Sequence, residues 1–184
     1  MATRIERAPA EWWGMSALAG LIGGAFMALY EMLYFLSTYG VFWLPMNMVG
    51  AIIPGFRPPL PTFNAGPTLT GICLHLILAA VWGLIYGVVV AALFPLAART
   101  WRGAVLLGLG WGTVVWAAMA LMLSQIVLPY FYIVENPAML WIGNLVYGVA
   151  SALFLYALER RHRVVVTFFP ELTEAEAREP ERWI

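Results

Sequence analysis

The sequence predicts an all-α membrane protein with four transmembrane helices, and an internal echo suggests that these form two repeated helical hairpins. Three observations carry this reading. Of 184 residues, 62% are hydrophobic and only 11% charged, whereas a soluble domain carries roughly a quarter charged residues. Four apolar runs each exceed the ~20 residues that a helix needs to cross a hydrocarbon core about 30 Å thick. Arginines gather on alternate connections between those runs.

The first run extends over 13–38. It is far longer than the usual 7–15 apolar residues of a cleaved signal, and no small-x-small cleavage site follows it. It reads as a span, and Glu31 is the only formal charge in any of the four. The connection 39–69 holds half the prolines (Pro45, Pro54, Pro58, Pro59, Pro61 and Pro67), which deny it a long helix. Val41 to Phe56 is nonetheless mostly apolar. It reads either as a short helix opened by Pro45 and lying flat on the outer surface, or as an apolar loop packed on the bundle. The second run covers 70–94, the third 105–128 and the fourth 138–158, with a connection at 129–137. Residues 1–163 thus make one transmembrane domain, and 164–184 a short cytoplasmic tail. In the tail, Val164 to Phe169 is a β-prone patch, and Glu171 to Ile184 is charged and helix-prone, with Thr173 as a cap ahead of Glu174 and Glu176. The tail is too short for a core of its own. It is read as frayed, or as docked on a partner through Trp183 and Ile184.

Orientation follows from the arginines. Arg4 and Arg7, Arg99 and Arg102, and Arg160, Arg161 and Arg163 flank one side of the membrane, while the first connection has only Arg57 and the third has none. Positive charge stays cytoplasmic, so the expected topology is a multi-pass protein of a bacterial inner membrane with both termini inside. Aromatic anchors agree: Trp12, Trp13 and Trp101 at one interface, and Trp43, Tyr130 and Tyr132 at the other.

Close packing has to hold such helices together, because lipid removes the hydrophobic drive between them. Small residues four apart supply it: Gly20 with Gly24, Gly83 with Gly87, Gly108 with Gly112, and Gly148 with Ala152. These mark a tight bundle or a homo-oligomer seam. Leu84-Ile85-Tyr86-Gly87-Val88 recurs as Leu145-Val146-Tyr147-Gly148-Val149. Gly20-Leu21-Ile22-Gly23-Gly24 is echoed by Gly108-Leu109-Gly110-Trp111-Gly112. Two hairpins of like orientation, related by an axis along the membrane normal, would produce this pattern.

An ionisable group inside a span costs about 2.5–3.5 kcal/mol on insertion scales, so it usually faces a partner or a cavity. Glu31 falls on one helical line with Gly24 and Gly20. His75 lies at a comparable depth in the second run, on a stripe with Ala79, Trp82 and Tyr86. Asn144, Ser124 and Gln125 share the outer half. We expect a polar cluster of Glu31, His75 and Asn144, with Gln125 more loosely attached. Histidine titrates near neutrality, so a Glu–His pair is able to exchange a proton. The plainer use of such a pair is a hydrogen bond that locks two helices.

Several chemistries find no support. The net formal charge is zero, which removes the electrostatic case for nucleic acid. No phosphate-binding loop or G-x-S-x-G is present, and no pair of catalytic acids is sensibly spaced. One cysteine, Cys73, rules out an internal disulfide and a cysteine-built metal site. Cys73 and His75 are two apart and do not share a helical face. No metal and no cofactor is therefore expected, and bis-histidine haem ligation fails because His162 lies at the wrong depth.

From about Gly71 to Arg163 the chain resembles the YagU-like group of uncharacterised bacterial inner-membrane proteins. The shared pattern is His75 with Tyr86 eleven residues on, Phe94-Pro95, Trp101 before Gly103, Gly143-Asn144-Leu145-Val146, and the arginine-rich exit at Arg160 and Arg161. In that group the last motif carries histidine where this chain has Asn144, a departure that counts against two-histidine chemistry. The resemblance implies a multi-spanning bacterial membrane protein and no particular reaction. The first expectation is therefore a non-enzymatic accessory or structural subunit whose partners are the lipid bilayer and either other membrane subunits or itself. A proton-coupled small-solute transporter using Glu31 and His75 is the alternative. A lipid- or quinone-binding subunit is the third.

Overall fold

A computed structural model describes residues 9–56, 59–94, 97–122 and 136–168. In chain order these form α1 (Pro9–Tyr39), the short α2 (Leu44–Gly50), α3 (Ala65–Leu93), α4 (Trp101–Met122) and α5 (Pro137–Phe168), with 3-10 turns at Pro54–Phe56 and Ala97–Arg99. There is no strand among the described residues. Four helices are long and apolar enough to cross a membrane: Glu11–Tyr39, Ala65–Val90, Trp101–Leu121 and Pro137–Arg161. A helix satisfies every interior backbone group within itself, which lipid demands. The protein is an integral membrane protein.

Helix limits depart from the sequence expectation: α1 and α4 each begin four residues earlier, at Pro9 and Trp101, and two further departures have a visible cause. α3 begins at Ala65 rather than Thr70. Pro67 is tolerated there because a first-turn residue has no intrahelical acceptor for its missing N–H. The start is tied by Asn64, whose backbone N–H donates to Thr68 Oγ1 at 3.1 Å. At the other end of the chain, Val164 to Phe168 continue α5 as helix, correcting the β-prone reading. Extending an existing helix adds a hydrogen bond per residue without the cost of nucleation, which outweighs β-branching. α1 stops at Gly40, which adopts φ 71°, the left-handed conformation common just past a helix end. The expected remainder of the third run at 123–128, most of the 129–137 connection, and the tail beyond Phe168 lie outside the described residues.

α2 carries Pro45 in its first turn as expected, but it does not lie exposed on a surface. Pro45, Met46, Asn47, Met48 and Gly50 are all buried against α3, and a Cβ on Gly71 would collide with the Met46 carbonyl. Asn47 is fully buried. Its Nδ2 donates to the carbonyls of Leu60 (2.6 Å) and Thr62 (2.8 Å), and its Oδ1 accepts from the Thr68 hydroxyl. One side chain thereby ties the connection to α3.

The long helices pack as two antiparallel pairs. In the α1/α3 pair, Gly20 lies against Gly83 and the Ala79 carbonyl, Gly24 against the Ala79 methyl, and Gly87 against Ser16. In the α4/α5 pair, Gly108 and Gly112 meet Gly148 and the Asn144 carbonyl. Every glycine of the four spaced pairs thus sits at a helix crossing. The pairs join through α1 and α5, where Gly23 receives Ser151 and the Tyr147 carbonyl. α3 and α4 scarcely touch. A true two-fold between the hairpins would make the α3/α4 contact match α1/α5, so the arrangement closes on one side and leaves a gap on the other.

Candidate functional site

That gap contains a cavity of about 300 Å³. α1 and α5 form its floor, α3 and α4 its walls, and Val49 and Ile52, at and just beyond α2, close one end. Leu74, Ile77, Leu78, Val81 and Trp82 line the α3 wall, and Val115, Trp116, Met119 and Ala120 the α4 wall. The floor brings Glu31, Asn144 and Tyr147 together with His75, alongside Met27. Three of the four residues of the expected cluster therefore face one cavity. The fourth, Gln125, lies outside the described residues, as does Ser124.

The internal geometry of the cluster differs from a simple Glu–His bridge. His75 Nε2–H donates to the Gly24 carbonyl at 2.9 Å. Gly24 is seven residues from Glu31 along α1, about 10 Å of helical rise. The register is set by the glycine contacts between α1 and α3, which draw the imidazole toward Gly24 instead of the carboxyl. Asn144 donates through Nδ2 to the Leu140 carbonyl one turn back at 2.9 Å. Tyr147 donates its hydroxyl to the Ala79 carbonyl at 2.9 Å, clipping α5 to α3 beneath the cavity.

Glu31 is only 4% exposed. Its carboxyl passes Gly143, where a Cβ would stand 3.4 Å from Oε1, so α5 is bare at the point where the carboxyl crosses it. No described residue donates a hydrogen bond to that carboxyl, and no arginine is among the described residues that line the cavity. Beside the cavity α3 and α4 do meet: Trp82 of α3 packs edge to face on Trp111 of α4 with centroids 5.9 Å apart, and Tyr86 packs on Trp111 at 5.7 Å.

Sequence reading placed Trp82 on the His75 stripe but missed Trp116, the methionines Met27 and Met119, and the role of Gly143. Gly143 precedes Asn144 directly, and Tyr147 sits in the repeated Tyr-Gly motif, so both were within sight. Among the described residues no cluster of three or more metal-ligating side chains forms. No family model matches the chain, and neither a curated protein nor a solved structure does.

Proposed function

We propose that this membrane protein binds an amphiphilic small molecule taken up sideways from the lipid phase. The observation that carries the reading is the sparse α3/α4 packing, which leaves an apolar-walled cavity lined by Glu31, His75 and Asn144. Ligand sites combine mainly apolar walls with a few convergent polar groups, in cavities of about 300–1,000 Å³. An intramembrane ionisable residue marks a functional site by default. Of the three expectations from sequence, the lipid- or quinone-binding subunit lies nearest to this reading. A Glu–His proton relay is less favoured, because the imidazole N–H is already engaged by Gly24.

Photolabelling in nanodiscs tests the reading. A neutral amphiphile bearing benzophenone, which inserts readily into methionine C–H bonds, is expected to label Met27 and Met119 on the cavity lining. The Ala120→Trp variant, which fills the cleft, is expected to lose both adducts. Labelling confined to outward residues such as Leu106, which is 68% exposed, would overturn the reading.

A further inference from the structure

The cleft's unspent hydrogen-bonding capacity narrows the ligand class, given the binding reading above. His75 spends Nε2–H on Gly24, and a neutral ring then offers only the Nδ1 lone pair. Asn144 spends one amide N–H on Leu140 and keeps the other N–H together with Oδ1. Tyr147 spends its proton on Ala79. Trp82 presents its ring, since its Nε1 is buried and not open to the cavity. Glu31 supplies a carboxyl, 96% shielded, with no donor and no arginine among the described lining residues; it offers two acceptor oxygens once a bound cation draws off its proton.

What sets the lining apart is therefore an acidic group that no described residue pairs, with the Trp82 and Trp116 rings on the walls around it. A positively charged head with N–H donors complements the site. It would form charge-assisted hydrogen bonds to Glu31, and the Trp82 and Trp116 rings would add cation–π attraction. We infer that the cleft takes amphiphilic amines in their ammonium form, with the head at Glu31 and the alkyl tail leaving between α3 and α4 into the bilayer.

Competition against the neutral benzophenone probe at Met119 tests this on the full chain in zwitterionic nanodiscs. Three competitors of equal chain length are compared: dodecylamine, dodecyltrimethylammonium and dodecanol. The amine, like a lysine side chain, is protonated at neutral pH. It should displace the probe at a concentration about tenfold below that of dodecanol, the size of one charge-assisted hydrogen bond. The trimethylammonium compound, charged but without N–H donors, should fall between them. Glu31→Gln should bring the amine to the level of the alcohol while the neutral probe still labels Met119, and Glu31→Asp should keep part of the preference. Equal displacement by amine and alcohol in the wild type, or an amine preference that persists in Glu31→Gln, overturns the inference and leaves the cleft reading standing. No labelling of Met119 in the wild type overturns both. The wild-type ranking decides the matter even where a variant fails to fold.

Discussion

At the scale of single residues, two buried polar side chains are used in opposite ways. Asn47 is fully satisfied: two carbonyls accept from its amide and one hydroxyl donates to it. It works as a structural rivet between α2, the connection after it and the start of α3. Asn47→Ala leaves those partners unpaired in a buried site, and the expected loss is about 1–3 kcal/mol, read as a lower midpoint of thermal unfolding in detergent. A midpoint equal to wild type would show that the connection does not depend on the rivet. Glu31 is the reverse case, since no described residue donates to it although it is almost wholly shielded. A carboxyl placed against bare Gly143 and left open to a cavity is available to something not in the chain.

Residue-level legibility follows the same division. Glu31, His75 and Asn144 could be named because a polar group in an apolar run is visible in one dimension. Their mutual bonding could not, because it depends on helix register. Depth counted from the expected run ends put Glu31 and His75 level. The glycine contacts between α1 and α3 instead deliver the imidazole to Gly24. Asn47 escaped notice because it lies in a connection, where a polar residue raises no alarm.

At the scale of elements, glycine decides which helix faces meet. A Cβ on Gly83 would come within 2.5 Å of the Gly20 Cα and 2.6 Å of the Ser16 carbonyl oxygen, whereas one on Gly110 meets nothing within 4 Å. Gly83→Ala must therefore force two backbones apart, at a cost of about 1–3 kcal/mol typical of overpacking. Gly110→Ala should be neutral or gain about 0.5–1 kcal/mol, because alanine loses less backbone freedom in a helix. Thermal unfolding of the two variants side by side tests this. Equal effects would mean that the α1/α3 crossing is not where the structure puts it. The spacing of these glycines was readable in sequence. The burial of α2 was not: its composition suits a membrane surface equally well, and only contacts such as Met46 with Gly71 distinguish the two.

At the scale of the whole molecule, four spanning helices were legible because hydrocarbon thickness translates directly into residue counts. Orientation rests on the arginine pattern alone. The repeated Tyr-Gly motif predicted two like hairpins, and the glycine contacts within each pair resemble one another. The sequence carries no sign that the hairpins would join mainly through α1 and α5 and meet at α3 and α4 only through Trp82, Tyr86 and Trp111. That asymmetry is a property of assembly, and it creates the cavity over Glu31, His75 and Asn144.

The most direct test of this account is oxygen accessibility by electron paramagnetic resonance in nanodiscs. The single native cysteine, Cys73, is first replaced by alanine, and a nitroxide is then placed at position 119 of α4. The account predicts collision with lipid-dissolved oxygen close to that of a label at the lipid-facing position 106, and far above that of a label at the core position 152. Accessibility at position 119 equal to that of the core would mean that α3 and α4 close on each other, and would contradict a cleft open to the bilayer.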